Sequence, residues 1–234
     1  MEEFLKQNYY LLTHSIEFLA AITGLFVYNK YKFTAAKYFI WFLWYLSIGD
    51  QLGSYVQYIG DSNFLHFLKG TVFAWNYWWY TLFWEIGAIL FFTFYFYKIL
   101  RNKKFSSIVK FLGIAFFVVS VSVIVFNLDQ FFTGYFDSIN IIGAFIIFIV
   151  VIFHFIEILN SNVILSFHKS INFYISGTIL IWWLVTTPLV FYEIYNFNRD
   201  LNFNLLKKEI YLLANLFMYL TFTFALIWCK PQKD

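Results

Sequence analysis

Residues 139–159 read INIIGAFIIFIVVIFHFIEIL, and this block decides the fold class. It runs fifteen positions before its first ionisable residue, His154. Its apolar side chains do not alternate with period two, and it is too long for a strand of a membrane barrel. A helix crossing a bilayer needs about 20 apolar residues, and this block supplies them. Within lipid the backbone must satisfy its own hydrogen bonds, so the block is read as a helix. Working outward, comparable blocks occur at roughly 9–28, 38–59, 75–99, 107–128, 173–195 and 209–229. The fold class predicted is all-α, a polytopic membrane bundle of about seven transmembrane helices.

Composition agrees. Of the 234 residues, 62% are hydrophobic and 12% charged, against about 45–50% and about 25% in a soluble domain. Exposed apolar surface on that scale aggregates in water. Seven spans and short loops use almost the whole chain, so 1–234 is read as a single transmembrane helical domain. The opening MEEFLKQNYY lacks the basic n-region of a secretory signal, and the first apolar block is therefore expected to be retained. One cysteine, Cys229, offers no internal disulfide.

The loops predict an orientation. With seven spans, one side of the membrane receives Lys6, Lys69, Arg199, Lys207 and Lys208. The other receives the remaining 11 of the 16 basic residues. The positive-inside rule then places the N-terminus outside and the C-terminus in the cytoplasm, with a bacterial inner membrane as the expected location. Much of that bias lies in Lys98–Lys110, a topology determinant and a candidate contact for anionic lipids. Tyr9, Tyr10, the run from Trp75 to Tyr80, Tyr192, Tyr195, Tyr211 and Trp228 lie near span ends, where aromatic belts form. The sixth loop, from Asn196 to Glu209, is an ordinary connection, a short surface helix or a lid.

Ionisable groups inside spans usually face the bundle interior and mark function. His14 and Glu17 are three apart and share a face of the first span. Asp50 lies past the middle of the second, Glu85 near mid-depth in the third, and Glu193 and Asn215 toward the outer ends of the sixth and seventh. Their convergence would make a polar pocket open to the outside. The plainer alternatives are that His14 and Glu193 sit in the headgroup layer, and that Asp50 and Glu85 only pin helices together. His14 and Glu17 are weak candidates for a metal. His154 and Glu157 repeat the His-x-x-Glu spacing in the fifth span, but far closer to the cytoplasm. At 1.5 Å per residue the two pairs are on the order of 15 Å apart in depth, too far to share an ion. The inner pair is read as reaching the inner surface or capping a local network. Pro188 kinks the sixth span, as a hinge or as a fixed bend.

Several chemistries are set aside. The last span holds no interior lysine, so retinal is not expected. No nucleophile elbow, zinc-protease helix or phosphate loop is present, and no nucleic-acid partner is implied. The cofactor is left unknown. The first functional reading is a pocket for a small ligand or cation, receptor-like or transport-related, acting with a possible partner membrane protein. The alternatives are an intramembrane lipid hydrolase using Asp50 and Glu85 as paired carboxylates, and a structural subunit of a membrane complex.

The segments SIGDQLGSY, NYWWYTLFWEIGAILFFTFYFYKILRNKKF and NFYISGTILIW, taken in order, resemble a group of small uncharacterised seven-helix membrane proteins of Bacteroidetes-type bacteria. The second-span acid is Asp50 here, where that group is expected to carry Glu. The resemblance implies the topology and no activity.

Overall fold

A computed structural model of the chain describes residues 2–60, 63–161, 165–195 and 201–231; Arg199 and Lys233 lie outside them. Seven long helical segments occur among the described residues: α1 Glu2–Phe26, α2 Ala36–Gly53, α3 Tyr77–Ile99, α4 Lys103–Phe126, α5 Asp137–Leu159, α6 Ile171–Tyr195 and α7 Leu201–Trp228. No strand occurs among them, so the protein is all-α. Five of the seven, α3 to α7, are long and apolar enough to cross a membrane, the make-up of a multi-pass membrane protein. α1 and α2 are diluted by polar residues and by tyrosine and tryptophan, which score low on hydropathy scales. α2 is prolonged by a 3₁₀ turn, Ser54–Tyr58.

Six helices form a closed ring. α1 packs on α2, α2 on α3, α3 on α5, α5 on α6, α6 on α7, and α7 on α1. α4 stands outside the ring against α3 and α5, which leaves Phe111, Ile114, Val118 and Val125 exposed. Aromatic rings fill the core: Phe39, Tyr95, Phe96, Phe116 and Phe222 are fully buried.

Polar side chains tie helix ends together at one end of the bundle. Glu157 accepts from the backbone N–H of Arg101 and of Asn102, at 3.0 and 2.7 Å, and so places a negative charge at the N-terminus of α4. Lys30 Nζ donates to the carbonyls of Leu226 and Ile227, and the buried Tyr31 hydroxyl lies within hydrogen-bond reach of those of Leu226 and Cys229, which share its one hydrogen. These carbonyls end α7 and have no partner within the helix. Lys30 sits in the short connection Tyr28–Tyr31, and its partial burial lowers the ammonium pKa. His154 turns away from Glu157. It is buried against Phe96, with Nδ1 2.8 Å from Ser176 Oγ. The Ser176 hydroxyl already donates to Asn172 O, so it accepts from His154 Nδ1–H. The two residues therefore serve separate contacts and do not form one site.

At the opposite end, α2 and α3 meet closely. The α3 helix contains a π-turn, Thr81–Ile86, a feature frequent at functional sites. The Tyr45 hydroxyl donates to the Phe83 carbonyl inside this turn at 2.8 Å. Trp79 Nε1–H donates to Gly49 O, and Asn76 Nδ2 to Gly53 O, both at 2.8 Å. Gly49 is required for the approach, since a Cβ there would lie 1.9 Å from two ring atoms of Phe83.

The last helix begins earlier than its apolar block. The stretch 201–208, for which the sequence left a connection, a short surface helix or a lid, belongs to α7. Helix formation needs no apolar residues once one face has a partner. Lys207 has such a partner in Glu193 of α6, at 2.6 Å. α6 continues as helix through Pro188.

Candidate functional site

Five of the six residues singled out from sequence line two neighbouring cavities at the end where α2 and α3 meet, and the sixth, His14, contacts Asp50 of the first. The first, about 390 Å³, is lined by Glu17, Asp50 and Asn215, with Tyr9, Tyr80 and Tyr219. The second, about 250 Å³, is lined by Glu85 and Glu193, with Asp137, Asn140, Thr186 and Lys207. Five aromatic residues, Tyr80, Trp84, Tyr135, Trp182 and Tyr211, line both. The wall between the cavities is thus made of rings, two of them in edge contact (Trp84 and Trp182, centroids 5.3 Å apart). Asp50 lines the first cavity and Glu85 the second.

His14 joins α1 to α2. Its Nδ1 lies 3.1 Å from Asp50 Oδ2 and 3.9 Å from Glu17 Oε2. One ligand atom from each of the three residues falls within 4.8 Å of the other two. Asp50 Oδ1 accepts from the Tyr80 hydroxyl at 2.6 Å. The Ser54 hydroxyl donates to Asp50 O at 3.0 Å and meets His14 Nε2 at 3.4 Å. Its one hydrogen is used, so His14 Nε2 carries a hydrogen and donates to Ser54.

Two carboxylates in these cavities keep an unsatisfied oxygen. Glu17 is 4% exposed and Glu85 5% exposed; Oε2 of each is buried without a hydrogen-bond partner. Thr81 Oγ1, one helical turn before Glu85, is also buried and unpaired. A buried polar group left unmatched costs about 1–3 kcal/mol, so such atoms concentrate where something else is to be bound. Asn215 is positioned by Trp182, whose Nε1–H donates to Asn215 Oδ1 at 2.8 Å. Glu193, paired with Lys207, is among the more exposed of the set.

Sequence reading missed Asp137, Asn140, Tyr80, Tyr135 and Trp182 as lining residues. Of these only Tyr80 was noted, as a belt residue at a span end, and the closing of the ring turns it inward.

No family model matches the chain, and neither a curated protein nor a solved structure matches it.

Proposed function

We propose that the protein is a seven-span protein of a bacterial inner membrane, with its N-terminus outside, and that its outward-facing cavities bind a small cation in a receptor-like or transport-related role. The observation that carries the reading is the acidic excess around the cavities. Glu17, Asp50, Glu85, Asp137 and Glu193 line them, and the basic groups beside them among the described residues are His14 and Lys207. Aromatic faces in the shared wall add attraction for a cation.

The topology is supported by α1 and α2, which close the ring with the five apolar helices, and by the basic residues at one end. In a Cys229→Ser background, Phe67→Cys is expected to react with a membrane-impermeant maleimide on intact cells. Lys104→Cys is expected to react only after permeabilisation. Both positions are exposed, and the reverse pattern would invert the assignment.

The binding reading is tested by thermal unfolding of the full chain in nanodiscs, followed by the fluorescence of its nine tryptophans. Zinc, manganese and tetramethylammonium chlorides are compared with sodium acetate and sulfate. A cation at 100 times its dissociation constant stabilises the folded state by about 2.7 kcal/mol. At least one cation is expected to raise the midpoint, and the rise should vanish in the Asp50→Asn, Glu85→Gln double variant. No rise with any cation, or a rise with the anions alone, refutes the reading.

A further inference from the structure

We infer that His14, Glu17 and Asp50 form a binding site for one divalent first-row transition-metal ion, of the zinc or manganese class, in the wall of the larger cavity. This rests on the cation reading above and narrows it to an inorganic ion at a defined set of ligands.

The donor set is one imidazole nitrogen and two carboxylates. Carboxylate oxygens alone favour magnesium or calcium, whereas imidazole shifts preference toward zinc and its neighbours. With bonds of about 2.0–2.2 Å, two ligands of one ion lie on the order of 3.0–3.5 Å apart. His14 Nδ1 and Asp50 Oδ2, at 3.1 Å, meet that spacing. Glu17 Oε2 lies 3.9 Å from Nδ1, and the three ligand atoms lie within 4.8 Å of one another, so Glu17 closes the set by moving inward on the order of 1 Å. Its freedom to make that shift is the independent observation: Glu17 is 4% exposed, lines the cavity, and has no hydrogen-bond partner at Oε2.

His14 Nδ1 lies 3.1 Å from Asp50 Oδ2, and both Nδ1 and Glu17 Oε2 are buried atoms without a hydrogen-bond partner.

The surroundings match an outer shell. Ser54 receives Nε2–H, which leaves Nδ1 as the coordinating nitrogen. Tyr80 holds the far oxygen of Asp50 and fixes the rotation of that carboxylate. Such partners set ligand orientation and basicity. His14 and Asp50 are part-exposed, 21% and 24% by side chain, which gives an ion a way in.

Isothermal titration of the full chain in nanodiscs with zinc chloride alone, and separately manganese chloride alone, tests the site. One ion per chain is expected. Cobalt substituted at the site is expected to show visible absorption bands that change in His14→Ala. Glu17→Gln and Asp50→Asn, which keep shape, should each weaken binding by at least about 100-fold, and Tyr80→Phe by about 10–100-fold. Folding of each variant is checked by protection of the buried Cys229 thiol. Three outcomes overturn the inference: no saturable binding of either metal up to about 1 mM, zinc binding that persists in both carboxamide variants, or stabilisation by tetramethylammonium with none by metals. The last leaves the broader cation reading intact, whereas failure of every cation removes both.

Discussion

Replacing Glu85 by methionine is expected to make the protein more stable, by about 1–3 kcal/mol. Mutations of buried residues ordinarily do the reverse. The reason is the buried carboxyl in the π-turn of α3, whose Oε2 has no hydrogen-bond partner. Methionine removes the polar atoms, is unbranched and flexible, and fills irregular space well. The gain should come with loss of the cation response of the smaller cavity, the exchange of function for stability seen when a functional polar group is deleted. The check is the temperature at which the buried Cys229 becomes reactive to a thiol-specific fluorophore, compared between Glu85→Met and the parent chain. If Glu85 instead serves to pin helices through hydrogen bonds, the midpoint falls.

Gly49→Ala is expected to act in the opposite sense and strongly. The added methyl would sit 1.9 Å from Cε2 and Cζ of Phe83. That ring cannot simply swing aside. It is stacked on Tyr45 (centroids 4.3 Å) and on Trp79 (5.8 Å), and Trp79 is hydrogen-bonded to the Gly49 carbonyl itself. Overpacking of this kind costs about 1–3 kcal/mol, and here it loads the segment that carries Tyr80 to Asp50. The same thiol assay should show an earlier transition. Zinc affinity should fall with it, since Tyr80 can no longer orient Asp50. An unchanged midpoint would mean that α2 and α3 separate more easily than this interlock allows.

The contrast between these two substitutions marks what the amino-acid order conveys. Long apolar blocks make helices legible: 139–159 by sequence and Asp137–Leu159 in the structure describe the same element. The start of α7 was hidden because Asn204, Lys207 and Lys208 interrupt the apolar pattern, although Lys207 is a good helix residue with Glu193 opposite it. The expectation that acids inside apolar blocks turn inward identified Glu17 and Glu85, because their cost in an apolar medium does not depend on their neighbours. Their assignment to separate cavities was not legible. It depends on the edge contacts of Trp182 with Trp84 and Tyr211, and an aromatic residue in a span carries the same sequence signature whether it faces lipid or the interior. The π-turn, whose Phe83 carbonyl accepts from Tyr45, likewise has no marker in the order Thr-Leu-Phe-Trp-Glu-Ile.

The ring closes through its first and last members, and this has a consequence for biosynthesis. As the chain leaves the ribosome, α1 must wait until α7 has been made before it gains the neighbour that completes the circle. His14 and Glu17 therefore spend nearly the whole of translation beside an unfinished wall, without Asn215 or Tyr219. Contacts between segments so distant along the chain form late and slowly. Any premature stop before Leu201 yields a chain with most of its helices and without Tyr211, Asn215 and Tyr219 in the cavity wall.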